Sequence, residues 1–162
     1  MTPIGQRIFG AVYASISRIL HTYFFMRRGL TLGVRAIVRS KSGEFLLVRH
    51  TYTPGWYFPG GGVEKGQTAE KALRNELKEE TNLKLVGKPV LHGVFHNSGV
   101  SKRDHILVYI CKVEGRFDIK FPRMEICEIR YFSFEDLPPD TDPGTARRIH
   151  EIICCTAKRE VW

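Results

Sequence analysis

Residues 31–39, TLGVRAIVR, set Val34, Ala36 and Val38 on alternate positions. A period of two predicts a strand with one buried face. After a turn at Ser42-Gly43, residues 44–50 (EFLLVRH) read as a second strand, and the pair predicts a hairpin. Residues 53–62 form a loop rich in Pro, Gly and aromatics. Residues 68–81 are good helix formers with Thr68 as N-cap. Strands are expected to begin at 83–86, to cover 90–96 and 105–113, and to lie within 126–134. Leu137-Pro138-Pro139 interrupts the chain, and residues 146–158 close it as a helix. Strands and helices mixed in this order predict an α/β fold, a sheet covered by helices on both faces.

Charge changes this picture at one end. The chain has 162 residues, enough for one domain, and a net charge of +8. No acidic residue precedes Glu44, whereas Arg7, Arg18, Arg27, Arg28, Arg35, Arg39 and Lys41 all do; the rest is nearly neutral. The basic excess therefore belongs to the N-terminal part, and the body offers no long basic run for nucleic acid. The reading is a basic, apolar arm at residues 1–28, expected as a helix, followed by one domain at 29–162. The apolar stretch 8–26 is about as long as a membrane span, but Arg18 and His21 interrupt it. A helix packed on its own domain, an interfacial helix in peripheral membrane contact and a transit segment all stay open. A membrane-bound accessory protein is the function class that the arm alone would suggest. Cys111, Cys127, Cys154 and Cys155 form no CxxC pair and no disulfide framework, which points to a cytoplasmic protein.

The chemistry concentrates on the first helix. On a wheel of ~100° per residue, with Glu76 at zero, Glu80 falls at ~40° and Glu79 at about −60°. Ala69, Ala72 and Leu73 share that sector, while Lys71, Arg74 and Lys78 lie on the other side. Three carboxylates on a face turned inward repel one another and resist desolvation. A hard divalent cation, Mg²⁺ or Mn²⁺, would offset both costs and leave coordination sites for a phosphorylated substrate. Ahead of the helix, Pro59-Gly60-Gly61-Gly62 is backbone that a ligand can approach closely, near free N–H groups that favour phosphate.

Residues 61–83, GGVEKGQTAEKALRNELKEETNL, resemble the Nudix box, G-x5-E-x7-R-E-U-x-E-E-x-G-U. Gly61, Glu76, Leu77, Glu79, Glu80 and Leu83 match it. The resemblance implies an α/β/α sandwich with a mixed, curved sheet between helices, and often a homodimer. It also implies metal-dependent cleavage of a phosphoanhydride in a small, nucleoside-diphosphate-linked substrate, and the charge pattern adds the expectation of no nucleic-acid partner. Glu76 and Glu80 become metal ligands, joined by the Gly60 carbonyl. Glu79 would share the metal or take the proton from water, and so stands with Glu76 as catalytic. Members often add a carboxylate from a later loop; Glu125 has the best spacing and Glu128 is second. Gly61, Gly62, Arg49, Trp56 and Arg103 are the candidate substrate contacts, with Trp56 and Tyr57 able to stack on a base. Gln67, Asn75 and Asn82 depart from the pattern, standing where it has Glu, Arg and Gly. Asn82 suits a left-handed helix end. Asn75 removes the arginine that orients the carboxylates, so a Nudix-fold binding or regulatory module with little turnover is the alternative.

Overall fold

A computed structural model describes residues 29–116 and 125–162. Its elements are β1 (Thr31–Val38), β2 (Phe45–His50), β3 (Trp56–Tyr57), α1 (Ala69–Thr81), β4 (Lys84–His96), β5 (Asp104–Glu114), β6 (Ile126–Phe132) and α2 (Pro143–Ile153). The expected arm at residues 1–28 lies outside the described residues, and with it the membrane contact read from it. Among the described residues no helix is long and apolar enough to cross a membrane.

The strands form two three-stranded sheets. One is mixed, in the order β1-β5-β4, with β1 parallel and β4 antiparallel to β5. The other is antiparallel, in the order β3-β2-β6. The hairpin expected from β1 and β2 is not formed. The bridge Arg39↔Phe45 closes the turn, and then the strands part, β1 to β5 and β2 to β6. Alternation fixes which face of a strand is buried and leaves its partner open.

Both strands carry apolar side chains on both faces, and this builds the layers. Val34, Ala36 and Val38 of β1 join Leu46 and Val48 of β2 and Ala72, Leu73 and Leu77 of α1 in one core. Ile37, Phe45 and Leu47 face the other way, packing with Phe95, Val108 and Ile149 of α2. The sheets thus lie between the two helices, the α/β/α arrangement expected.

Thr68 caps α1, its Oγ1 accepting from the Lys71 amide at 3.2 Å. Asn82 ends it in the left-handed conformation at φ 60°, donating to the Lys78 carbonyl. The second helix begins three residues earlier than expected. Asp142 accepts from the Thr145 amide at 2.7 Å and Pro143 takes the first turn, where its missing N–H costs nothing. The strand expected in two pieces around 83–96 is one strand, β4, with irregularities between Val86 and Val90 and between Leu91 and Gly93.

Candidate active site

The buried stripe of α1 contains Ala72, Leu73, Leu77, Glu80 and Thr81. Leu73 and Leu77 lie at ~60° and ~100° on the wheel that puts Glu76 at zero, so Glu80 falls nearest the stripe and Glu79 farthest from it. Exposure follows the same order. Glu80 is buried, Glu76 is partly buried and Glu79 is exposed. The three carboxylates therefore do not share one inward face; Glu79 stands outside, beside Glu76.

The glycine loop runs along β1. Ala36 N–H donates to Pro59 O at 2.8 Å, Val34 N–H to Gly61 O at 2.9 Å, and Val63 N–H to Leu32 O at 2.8 Å. The intervening Gly60 amide turns to α1 and donates to Glu80 Oε2 at 2.7 Å. Gly60 has φ +144°, and a Cβ there would come within 2.0 Å of the Val34 carbonyl oxygen. A Cβ on Gly61 would come within 2.4 Å of Glu76 Oε1. Both glycines exist because side-chain and backbone oxygens need that space.

Together these groups wall a cleft of about 310 Å³, lined by Gly60, Gly61, Gly62, Glu76, Glu80 and Glu125, with Arg35, His50, Tyr52, Thr53 and Tyr57. A larger, mainly apolar cavity of about 670 Å³ lies elsewhere, against Phe134, Leu137 and His150, and holds none of the box carboxylates.

The electrostatics of the cleft follow from burial. Desolvation pushes the Glu80 carboxyl up to about 8, aided by Glu76 and Glu125 and opposed by the Gly60 amide and Arg35. Glu76 is also raised, by burial first and then by the neighbouring Glu79 charge. His50 Nε2 lies 3.7 Å from Glu80 Oε1, but burial and Arg35 depress the imidazole, so this is no ion pair at neutral pH. Among the described residues Glu76 has no hydrogen-bond or salt-bridge partner.

Several expected contacts do not reach the cleft. Trp56 is buried, its ring edge-on to Phe132 at 4.7 Å, so it cannot stack on a base. Its ring belongs to the second core, and the Arg49 guanidinium lies over it. Arg49 also pairs with Asp140 at 2.9 Å and Glu128 at 3.7 Å. Arg103 lies in the turn between β4 and β5, its carbonyl accepting from Thr31 N–H. Glu125, not Glu128, lines the cleft. Gln67 braces the turn before α1 by accepting from the Glu64 amide at 3.0 Å. Arg74 is turned away, bound to Glu70 and to the Leu85 and Gly87 carbonyls, so it does not replace the arginine missing at Asn75. The sequence reading overlooked Arg35. The available signal was a lone charge inside the apolar run of β1.

Among the described residues no three His, Cys, Asp or Glu side chains are grouped tightly enough to enclose a metal ion as they stand. The donor chemistry nevertheless fits a hard divalent cation. Carboxylates line one small cleft, and burial pushes one of them, Glu80, well above the usual carboxylate range, a cost that a bound cation would offset.

Comparison with known proteins agrees with this architecture. An RNA pyrophosphohydrolase from Coxiella burnetii is 40% identical over 86 residues, covering 51% of this chain but 38% of that protein. The match thus spans well under two thirds of that relative. A crystal structure of a MutT Nudix hydrolase from Burkholderia pseudomallei superposes with a TM-score of 0.65 at 22% identity, covering 75% of this chain and 97% of the other. A UDP-X diphosphatase gives 0.63 at 22% identity, over 86% and 71%. Likeness at these identities is one of fold. The NUDIX domain model matches residues 29–152, a span that takes in β1, the glycine loop and the glutamates of α1, and the chain belongs to the Nudix family.

Proposed function

We propose that the chain hydrolyses a phosphoanhydride bond in a nucleoside-diphosphate-linked substrate, with Mg²⁺ or Mn²⁺ as cofactor. The observation that carries this reading is the cleft itself: Glu76, Glu80 and Glu125 around the glycine loop, with Glu80 buried and lacking a salt-bridged Lys or Arg. Glu76, Glu80 and Glu125, with the Gly60 carbonyl, would hold the metal. A divalent cation bound there neutralises diphosphate charge and acidifies water. Glu80 would bind such a cation as the charged carboxylate, since the added positive charge would offset the desolvation that now favours the neutral form. Glu79, exposed and beside Glu76, accepts the proton from the attacking water. Gly61 and Gly62 let the phosphates approach the backbone closely.

The Coxiella relative is named for RNA. A triphosphorylated RNA end therefore joins nucleotide sugars, dinucleotides, oxidised nucleotides and ADP-ribose in the test panel, and the expectation of a substrate without nucleic acid is put to the same test. Each compound is incubated with the protein, with and without Mg²⁺ or Mn²⁺. Metal-dependent release of a phosphorylated product, reduced at least a hundredfold by Glu79→Gln, supports the proposal. Diphosphate binding without turnover on any compound would favour a binding or regulatory module, a reading for which Asn75 and Gln67 speak.

A further inference from the structure

We propose that Arg35 is a substrate-binding residue that grips the diphosphate directly, an inference that rests on the hydrolase reading above. Arg35 is the one charge in residues 34–38 of β1, and Val34, Ala36, Ile37 and Val38 around it are buried. Placing a guanidinium in such a strand is unfavourable unless it gains a partner. Other arginines near the core have one. Arg148 pairs with Glu151 at 2.7 Å, Arg74 with Glu70 at 2.8 Å and Arg49 with Asp140 at 2.9 Å. Arg35 makes no salt bridge among the described residues. Its Nη1 donates to the carbonyl of its own neighbour Val34 at 3.2 Å, and its buried Nε has no acceptor.

The side chain lines the cleft together with Glu76, Glu80 and the glycine loop. Its field is felt there, lowering both glutamates and His50. Yet it stands beyond salt-bridge distance of every described carboxylate, so holding Glu76 or Glu80 in line is not its task. A half-buried guanidinium with unused donors, in a cleft built for a phosphorylated compound, matches the paired oxygens of a phosphate. Such a contact also supplies positive charge to the diphosphate in a cleft otherwise lined by carboxylates.

The test uses the full chain and imidodiphosphate, a non-hydrolysable compound that presents only the diphosphate. Calorimetry with Mg²⁺ measures its affinity, and Mn²⁺ titration without it measures metal affinity separately. Arg35→Ala should weaken imidodiphosphate binding at least tenfold while binding Mn²⁺ as tightly as the parent or more so. Equal imidodiphosphate affinity overturns the proposal, and so does a parallel loss of Mn²⁺ affinity, which would place Arg35 behind the metal site. If Arg35→Ala does not fold, Arg35→Lys decides instead. It keeps the charge without the fork, and a several-fold loss at unchanged Mn²⁺ affinity is expected, whereas no loss overturns the assignment. A parent that hydrolyses a compound of the panel while the variants bind imidodiphosphate normally removes Arg35 and leaves the hydrolase standing. A parent that neither hydrolyses nor binds any diphosphate removes both.

Discussion

The Gly60 amide donates to Glu80 Oε2 at 2.7 Å, tying the glycine loop to the buried face of α1. That bond survives either protonation state, because a neutral carboxyl still has a carbonyl oxygen to accept with. Glu80 can therefore hold the loop in place whether neutral or charged, as the proposed ligand role requires.

Stability should depend on pH through this group. The folded Glu80 carboxyl titrates at about 8, against an ordinary value of 4.5. The folded chain keeps a proton that the unfolded chain has lost between those values, so stability falls as pH rises through that window. The fall is on the order of a few kcal/mol once pH passes the folded value. Calorimetric melting from pH 5 to 9 should show the decline in the parent and a much flatter curve in Glu80→Gln. Mg²⁺ at pH 8 should raise the melting temperature of the parent, since only the folded state binds it, and have little effect on the variant. An unchanged metal response in Glu80→Gln would remove Glu80 from the ligand set.

The two glycines should separate folding from chemistry. Gly60→Ala combines φ +144° with a 2.0 Å approach to the backbone of β1, which cannot move aside. It should lose at least ~2 kcal/mol of stability in urea titration. The three atoms nearest a Cβ on Gly61 all belong to the flexible end of Glu76. Gly61→Ala should melt within a few degrees of the parent yet lose turnover tenfold or more, because Glu76 must swing away. Full activity in Gly61→Ala would mean that Glu76 works from another rotamer.

Much of this site is legible in the sequence because its determinants are local. Thr68 and Asn82 bound α1 by side-chain and backbone preferences that act within a few residues. The wheel angles already separate Glu79 from Glu80, although an inward face for all three was the simpler reading. Glu125 was reachable by its spacing ahead of Tyr131-Phe132. The Asp142-Pro143 signal for α2 was present and overlooked. Trp56 was not legible: a loop aromatic beside glycines fits a base or a core equally well, and Phe132, far away in sequence, decides it. Arg35 needed the same kind of knowledge, since only the fold places it in the cleft with Glu76.

The second core contains an ion pair whose loss should be costly. Arg148 is fully buried, lies 3.9 Å from the centre of the Phe95 ring and donates to Glu151 Oε1 at 2.7 Å. Arg148→Met leaves the buried Glu151 carboxylate with only His92, 3.6 Å away and its pKa held low by burial, in place of a permanent cation, which should cost about 3–5 kcal/mol. Adding Glu151→Leu removes the orphaned charge and should recover much of that loss, although the Arg159 amide then loses its acceptor. Urea titration of the single and double variants measures both steps. A double variant no more stable than Arg148→Met would show that packing against Phe95, rather than charge, dominates.

Asn75 bears on rate. It is exposed on α1, four residues before Glu79, so an arginine placed there meets Glu79 along the helix without crowding the core. Neither nearby arginine supplies that contact now. Arg74 is engaged with Glu70, Leu85 and Gly87, and Arg35 makes no salt bridge with a described carboxylate. Among the described residues no salt bridge or hydrogen bond braces Glu79, and as the proposed base an unbraced carboxylate spends less of its time aligned with the attacking water. Asn75→Arg should raise kcat on the true substrate by on the order of tenfold, about 1.4 kcal/mol of barrier. The affinity for imidodiphosphate should stay within twofold, because position 75 is not among the cleft-lining residues. A flat or lower kcat would mean that Glu79 needs no brace here, and the proton would then have to pass to Glu76 or Glu125 in the cleft.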